Sequence, residues 1–355
     1  MFKALEQGEH EQVVYGYDRA SGLKAIIALH NTALGPGFGG TRIMKYASDQ
    51  DALTDVLRLS RAMTYKNSAA GIDFGGGKAV IVADARKEKN EDLLRAFGKM
   101  INTLNGRYIT GVDIGTTEED MVVISKETKC CVALPESYGG VGSTSAVTAY
   151  GVFHGIKAAA DIVFGTASLK NKSIAIQGLG NVGFVLARYL IEEGATVIGA
   201  DVNEDCINRA VKELSIDIVT PDQIYDQPVD IFSPCALGGV LNDQSIPRLK
   251  CKLIAGAANN QLDEDEKHYA MLNDKGIAYG VDYILNAGGV IANSHQFIGY
   301  IRERAYHEVY TNISKNIDKV FKIAERDQIS TIEAAKNLAE HRLEMAVQRK
   351  KWFYK

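Results

Sequence analysis

The apolar and polar positions between residues 173 and 201 form the most informative pattern in the chain. An apolar run at 173–177 leads into closely spaced glycines, and a second apolar run, at 195–200, ends at an aspartate. Between the two runs, apolar side chains recur at the spacing of a helix. They are Val182, Leu186, Leu190 and Ile191. The segment therefore predicts a strand–helix–strand unit with an acidic residue after its second strand.

The glycines of this unit have the spacing of a dinucleotide-binding turn. Gly178 would allow the tight turn, Gly180 the approach of a pyrophosphate, and Gly183 the close packing of helix on strand. Asn181 and Val182 begin the helix, whose free N–H groups and partial positive charge favour phosphate. These residues are therefore candidates for binding a cofactor.

Asp201 makes the pattern more specific. Glycine is common in turns, so the glycine spacing alone would be a weak signal. An acid after the second strand can accept hydrogen bonds from both ribose hydroxyls, and it repels a 2′-phosphate. The sequence therefore predicts an NAD site in preference to an NADP site.

The pattern upstream of residue 139 predicts a separate α/β unit. Its predicted strands are 12–17, 23–30, 79–83 and 107–112, and its predicted helices are 49–65, 90–104 and 118–125. A glycine- and serine-rich stretch at 139–145 is the expected hinge. Helices are predicted downstream at 146–163, 300–326 and 330–352. The fold class is thus α/β with two domains, at 1–132 and 133–335, and a return of a C-terminal helix at about 336–355 to the first domain stays open.

Composition narrows the class of protein. The 355 residues are 46% hydrophobic and 24% charged, and the net charge of −4 predicts no nucleic-acid or membrane partner. Neither a signal-peptide pattern nor an apolar run of bilayer length occurs. Five cysteines, an odd number, suit a reducing cytosol, and the histidines are not spaced for metal binding. We expect a cytoplasmic protein without a metal site.

Two lysines and an aspartate are candidates for chemistry. Lys66 closes the predicted helix at 49–65, and Lys78 follows a glycine run just before the predicted strand at 79–83. If both ammonium groups lined one cleft, mutual repulsion and burial would let one of them act as an acid or base. Spacing alone favours a plainer interpretation, two ordinary surface lysines beside a structural turn. Asp113, at a strand end, suits either a functional carboxylate or a helix cap.

Six motifs in order carry a resemblance to a known family. They are residues 34–42 (LGPGFGGTR), 63–66 (MTYK), 75–78 (GGGK), 178–183 (GLGNVG), 234–239 (PCALGG) and 286–290 (NAGGV). Together they resemble the glutamate/leucine/phenylalanine/valine dehydrogenases, and most closely the leucine and phenylalanine enzymes. The resemblance spans nearly the whole chain.

The resemblance implies an NAD-dependent amino acid dehydrogenase. Such enzymes oxidatively deaminate an L-amino acid to a 2-oxo acid, ammonia and NADH. They pair an N-terminal substrate-binding and oligomerisation domain with a Rossmann-type NAD domain, and a cleft separates the two. A homo-oligomer, from dimer to octamer, is implied as well.

The resemblance also implies residue roles. Lys66 would hold the substrate carboxylate, near the backbone of Gly39 and Gly40. Lys78 would be the general acid/base that activates water, and Asp113 would exchange protons with the amine.

The remaining implied roles concern the cofactor side of the site. Asn260 and Asn286 would help to fix the substrate and the nicotinamide ribose. Thr148 would hold the nicotinamide amide. The cofactor groove would be lined by Ala236, Ala257 and Asn259.

The implied side-chain pocket favours an apolar substrate. Family members that take glutamate place a lysine where Phe38 stands, and a substrate carboxylate buried against a phenyl ring would lack a partner. Gly111 should enlarge the pocket and Phe38 should fill it or stack on an aromatic substrate. Val290 would be an apolar wall and Asn293 departs from the expected apolar residue. Phe38, Val290 and Met63, a further candidate for this pocket, could instead be plain core residues.

Other functions stay open. An NAD-binding protein without catalysis and a glutamate-type dehydrogenase are alternatives. A 2-hydroxy-acid dehydrogenase fits less well, because no histidine lies in a glycine-rich functional loop and the lysines suit imine chemistry better.

Overall fold

The computed structural model describes residues 2–353, apart from the side chains of residues 298 and 350–353. The chain forms two compact units. The first unit comprises the described residues up to 143, residues 293–302 and those from 338 onward, and the second comprises 144–292 and 303–337. The chain first passes between units within the expected hinge, whereas the boundary predicted at residue 132 lies earlier.

The first unit is built on a mixed sheet. Its strands are β1 (Gln12–Asp18), β2 (Leu23–Asn31), β3 (Gly37–Phe38), β4 (Thr41–Met44), β5 (Gly75–Val82) and β6 (Tyr108–Ile109). The order is β1-β2-β5-β3-β6, with β4 also paired to β5. β2 pairs antiparallel with both β1 and β5, and β3 and β4 run parallel to β5. The two predicted N-terminal strands therefore form a hairpin at one edge of this sheet.

Helices cover both faces of the sheet. The helices of this unit before residue 143 are α1 (Phe2–Gly8), α2 (Asp49–Ala70), α3 (Glu91–Asn102) and α4 (Glu118–Ser125). On one face, Ile27 of β2 packs with Phe97 of α3, and on the other, Ile26 packs with Val56 of α2. Burial on both faces explains why β2 is an almost continuous apolar run instead of an alternating one.

Two boundaries predicted from the sequence are wrong. Helix α2 does not end at residue 65 but continues to Ala70, and Gly71, in a left-handed conformation, ends it. Lys66 therefore lies inside the helix. Likewise, the glycine run does not precede a strand but forms the first half of β5, so Lys78 lies within the strand. A side chain at Gly76 would overlap the Thr64 hydroxyl of α2, so glycine lets helix and strand approach here.

The second unit is a parallel sheet with flanking helices. Its strands are β7 (Ser173–Gln177), β8 (Thr196–Ala200), β9 (Asp217–Ile218), β10 (Ile231–Pro234), β11 (Leu253–Ile254) and β12 (Ala278–Tyr279). Their order is β12-β11-β10-β7-β8-β9. The chain therefore reverses its direction across the sheet between β7 and β10, which is where ligands bind in such folds.

The helices of the second half of the chain complete both units. They are α5 (Ser145–Phe164), α6 (Asn181–Glu192), α7 (Glu204–Leu214), α8 (Asp265–Asp274), α9 (Asp282–Leu285), α10 (Gly288–His295), α11 (Arg302–Asp327) and α12 (Thr331–Phe353). The later part of α12 belongs to the first unit, where the Ser68 hydroxyl donates to Ala339 O (2.7 Å) and Arg342 donates to Ile72 O (2.6 Å). None of the helices in residues 2–353 has the length and apolar character of a membrane span.

A pair of histidines, His30 buried and His10 half-buried, joins β2, α2 and the segment after α1. His10 and His30 meet edge to face, with ring centroids 4.8 Å apart. His10 Nε2 donates to Leu57 O (2.9 Å), and His30 Nδ1 lies 2.8 Å from the Thr64 hydroxyl. Burial, followed by the neighbouring His10, lowers the pKa of His30 to about 4. Both rings are therefore neutral in the folded protein near neutral pH.

This pair predicts a loss of stability in mild acid. An unfolded histidine takes up its proton near its ordinary pKa of 6.5, whereas folded His30 does so only at about 4. The unfolded state then binds more protons, and stability falls as the pH drops through that window. His30→Gln should reduce the acid-induced loss in the free energy of unfolding by about 2–3 kcal/mol. Urea unfolding at several pH values measures this free energy. The exposed His307→Gln should behave as the wild type, and parallel pH dependence in all three proteins would contradict the prediction.

Candidate active site

A lysine–aspartate ion pair lies in the first unit, with the lysine buried and the aspartate half-buried. The Lys78 side chain is 7% exposed, and its Nζ is 3.2 Å from Asp113 Oδ1. Burial lowers the pKa of Lys78, and the Asp113 carboxylate opposes this only in part. An amine in this state can release and recover a proton more readily than a surface lysine can.

Asp113 is fixed on both its backbone and its side chain. Its backbone N–H donates to the Thr116 hydroxyl (2.8 Å), and Arg42 Nε donates to its Oδ2 oxygen (2.8 Å). Burial alone would raise the pKa of this carboxyl, but the charges of Lys78 and Arg42 lower it. Asp113 is therefore an ionised acceptor with one cation on each oxygen.

Backbone from the β3–β4 connection borders this pair. The Tyr108 hydroxyl donates to Gly39 O (2.7 Å). A Cβ placed on Gly39 would lie 2.9 Å from Met63 Cγ, and one on Gly40 would lie 3.1 Å from Asp113 Cβ. The structure thus brings three predicted substrate-binding residues, Gly39, Gly40 and Met63, close to one another or to Asp113.

The other predicted residues of the first unit have varied surroundings. Lys66 lies on α2, which packs against β5. Phe38 is buried, with its ring centroid 5.1 Å from that of Phe74, so it has an aromatic neighbour whatever its role. Gly111 opens less space than the sequence suggested, because a Cβ there would already lie 3.2 Å from Val132 Cγ2. On α10, the Oδ1 oxygen of Asn293 is shielded from solvent and accepts no hydrogen bond within residues 2–353.

In the second unit, the predicted cofactor residues follow the carboxyl ends of adjacent strands. Gly178 follows β7, Asp201 follows β8, Ala236 follows β10 and Ala257 follows β11. Since these strands are parallel neighbours, their ends lie along one edge of the sheet. A Cβ on Gly178 would come within 2.8 Å of Ala236 Cβ, which places the β7 and β10 ends in direct contact.

The β7–α6 turn has the space and the donors that a pyrophosphate needs. Gly178 has a φ of 100°, and a side chain at Gly183 would overlap the Gly178 carbonyl. A Cβ on Gly180 would meet nothing within 4 Å, so the outer side of the turn is open. No side chain of the described protein caps the N-terminus of α6, where Asn181 and Val182 lie. Free N–H groups beside open space fit a dinucleotide phosphate.

Asp201 contacts the same turn. Its Oδ2 oxygen accepts the Leu179 N–H (2.6 Å) and its Oδ1 oxygen accepts the Asn203 N–H (2.8 Å). Each carboxylate oxygen keeps a second lone pair, so ribose hydroxyls can still donate to it. The residues therefore fit a dinucleotide with a free ribose 2′-hydroxyl.

A second group of predicted residues surrounds Asn286. Its side-chain amide donates to Ala257 O (3.1 Å) and to Asn259 Oδ1 (2.7 Å). Asn260, exposed and left-handed at φ 49°, accepts the Gly239 N–H through its carbonyl (2.8 Å). Nearby in the chain, a Cβ placed on Gly289 would lie 3.2 Å from the Thr148 hydroxyl oxygen. The next residue, Val290, is half-buried. Asn286, Asn259 and Ala257 thus form one hydrogen-bonded group after β11, whereas Asn260 bonds to Gly239 and Thr148 and Val290 lie on α5 and α10.

Three polar residues of the first unit were missed in the sequence analysis, namely Arg42, Asp55 and Asn67. Arg42 bridges Asp113 and Asp55, with its NH1 nitrogen 2.9 Å from Asp55 Oδ2. The buried Asn67 amide donates to Phe38 O (3.0 Å) and Gly75 O (2.7 Å), and so ties α2 to β3 and β5. Only Arg42 could have been found from the sequence, because it ends the LGPGFGGTR motif.

No group of three or more potential metal ligands occurs in the described part of the chain.

Comparison with known proteins agrees with this architecture. The model for "Glu/Leu/Phe/Val dehydrogenase, dimerisation domain" matches residues 10–130, and that for "Glutamate/Leucine/Phenylalanine/Valine dehydrogenase" matches 139–209 and 201–350. A leucine dehydrogenase from Geobacillus stearothermophilus is 52% identical over 97% of this chain and 93% of its own. A phenylalanine dehydrogenase from Caldalkalibacillus thermarum is 48% identical over 95% and 92%. The crystal structure of L-tryptophan dehydrogenase from Nostoc punctiforme has a TM-score of 0.86 and 43% identity over 97% of this chain and 99% of that one.

The chain belongs to the glutamate/leucine/phenylalanine/valine dehydrogenase family. The predicted family, its two-domain α/β fold and the enzyme class of amino acid dehydrogenase are thereby confirmed.

Proposed function

We propose that this chain catalyses the reversible, NAD-dependent oxidative deamination of an apolar L-amino acid to the 2-oxo acid, ammonia and NADH. The observation that carries the proposal is the ion pair of buried Lys78 with half-buried Asp113, in a chain 52% identical to a leucine dehydrogenase. A buried lysine of lowered pKa beside an ionised carboxylate favours catalysis over cofactor binding alone.

Each group of the first unit has a task in this reaction. Lys66 pairs with the substrate carboxylate and orients the amino acid. The second unit would hold NAD, which would supply the hydride-accepting chemistry for oxidation at the α-carbon. Lys78 in its neutral form takes a proton from the water that adds to the imine carbon of the substrate. Asp113 exchanges protons with the substrate nitrogen, which leaves as ammonia.

NAD, not NADP, is the proposed cofactor. Gly178, Gly180 and the N-terminus of α6 would hold the pyrophosphate, and Asp201 would accept hydrogen bonds from the ribose. A 2′-phosphate beside the Asp201 carboxylate would place like charges together in a half-buried site.

A homo-oligomer formed through the first unit is also proposed. The family model matched over residues 10–130 describes a dimerisation domain. β1 pairs only with β2 among the described strands, and Tyr15 and Tyr17 on it are 48% and 71% exposed. An edge strand with exposed aromatic rings is a suitable surface for a second copy. We place the assembly in the cytoplasm, since its five cysteines are unpaired in the structure.

A second candidate substrate is an aromatic amino acid with a hydrogen-bond donor, such as L-tryptophan. Asn293 Oδ1 is a buried acceptor without a partner in the described structure. At a pocket position where the family resemblance leads us to expect an apolar residue, this oxygen could accept the indole N–H. One similar structure is that of an L-tryptophan dehydrogenase.

The function is tested with a panel of L-amino acids, with NAD and with NADP, followed by NADH absorbance at alkaline pH. Leucine, valine, phenylalanine or tryptophan should reduce NAD, and glutamate should be much poorer because Phe38 gives its carboxylate no partner. NAD should exceed NADP in kcat/KM, and the reverse reaction should require ammonia. Failure of every amino acid in the panel to reduce NAD would overturn the proposal.

The roles of the lysines predict different kinetic losses. Lys78→Ala should lower kcat by about 10²–10⁴-fold, because a general acid/base is lost, with little change in the Kd for NAD. Lys66→Ala should chiefly raise the amino acid KM, since the carboxylate loses its anchor. Lys126→Ala is a suitable control, because Lys126 is exposed and pairs with the exposed Glu91. Wild-type turnover by Lys78→Ala would exclude its assigned role.

The second candidate predicts a change of specificity in Asn293→Val. If Asn293 Oδ1 accepts the indole N–H, its removal should lower kcat/KM for tryptophan relative to leucine by about tenfold. L-phenylalanine is the matched substrate control, being aromatic without a side-chain donor. A fall for phenylalanine equal to that for tryptophan would point to a change of shape instead of a lost hydrogen bond.

A further inference from the structure

Arg42 makes contacts that the reaction described above does not use. Its guanidinium, 13% exposed, lies between two carboxylates: Nε is 2.8 Å from Asp113 Oδ2 and NH1 is 2.9 Å from Asp55 Oδ2. Asp113 Oδ1 is 3.2 Å from Lys78 Nζ. Arg42 and Lys78 therefore share one carboxylate, each on its own oxygen.

The far side of Arg42 is anchored as firmly as the near side. Asp55, on α2, also accepts the Tyr46 hydroxyl (2.8 Å) and Arg58 NH2 (3.0 Å). With Asp55 held by three donors, the Arg42 guanidinium is kept in the plane that reaches Asp113. The arrangement forms a chain of alternating charge from β5 through the segment after β6 and β4 to helix α2.

This arrangement affects the proton on Lys78. In an isolated buried pair, a carboxylate would hold a proton on the amine, because the charged pair is much better than a charged carboxylate alone. A second cation on the same carboxylate weakens that hold and repels the ammonium directly. Apart from the effect of burial, the strongest charged influences on Lys78 are Asp113 and Asp55, which favour its charged form, and Arg42, which disfavours it.

We propose that Arg42 is a positioning residue that holds Asp113 by its Oδ2 oxygen and limits how strongly Asp113 retains the proton on Lys78. The proposal rests on the deamination reaction proposed above, in which neutral Lys78 is the base. It differs from a purely structural role, in which Arg42 would only bridge β4 to α2.

The test is the pH profile of kcat/KM with NAD and the most active amino acid of the panel. In Arg42→Gln, the ascending limb should move to higher pH by about 0.5–1 unit. At pH values below the limb, kcat/KM of this variant should then be several-fold lower than that of the wild type. At pH values above the limb, it should approach the wild-type value. In Asp55→Asn, which keeps an oxygen for Arg42 but removes a negative charge, the limb should move to lower pH.

The matched control is Arg58→Gln. Arg58 also contacts Asp55, but its side chain is 61% exposed and it does not touch Asp113. Its limb should stay at the wild-type pH. Circular dichroism verifies that each variant is folded, and if Arg42→Gln does not fold, Arg42→Met, which is also uncharged, takes its place with the same expected shift.

Two results have distinct meanings. If the wild type fails to reduce NAD with every amino acid of the panel, the proposed function is wrong. If the wild type is active but Arg42→Gln and Asp55→Asn lose activity by one factor at every pH, with limbs unmoved, Arg42 is a structural bridge and the inference is overturned. A shift in the same direction for both variants would overturn it as well.

Discussion

The close approach of helix α2 to strand β5 is the constraint on which the first unit depends. A side chain at Gly76 would overlap the Thr64 hydroxyl of α2, so only glycine permits this spacing, and one at Gly75 would overlap the Asn31 carbonyl of β2. Asn67 then donates to the carbonyls of Phe38 and Gly75. Because Lys78 continues the same strand, its amine is buried beside Asp113 instead of reaching solvent. Tight backbone packing thus produces the electrostatic conditions of the site.

The second unit solves a different problem with the same residue type. Glycine at 183 lets α6 press against the carbonyl of Gly178, whereas glycine at 180 leaves the outer side of the turn open. One position is used for packing and the other for ligand access, although both belong to one short motif. The first unit therefore supplies buried charge, and the second supplies open backbone donors. Deamination needs both, since proton transfer and dinucleotide binding make opposite demands on solvation.

How much could be predicted from the sequence depended on the range of the interactions. The turn at 178–183 and the hairpin of β1 and β2 are local, and their patterns predicted them. The predicted end of α2 and the predicted start of β5 were both wrong. The start of β5 was missed because glycines 75–77 resemble a turn unless the helix they pack against is known. Arg42 was missed for a similar reason. Its partners are 13 and 71 residues away, a distance no local pattern reports.

The sharing of Asp113 explains why the pair Lys78–Asp113 is not simply a stable salt bridge. A buried pair with matched charges would be a poor base, since its most stable state keeps the proton on the amine. With Arg42 on Oδ2, a second cation shares the Asp113 carboxylate, and this weakens the attraction that holds the proton on Lys78. The carboxylate stays ionised in either state, because it keeps a cation when Lys78 becomes neutral. The geometry therefore separates two demands that a simple pair would set against each other: Asp113 remains an acceptor while Lys78 changes its charge.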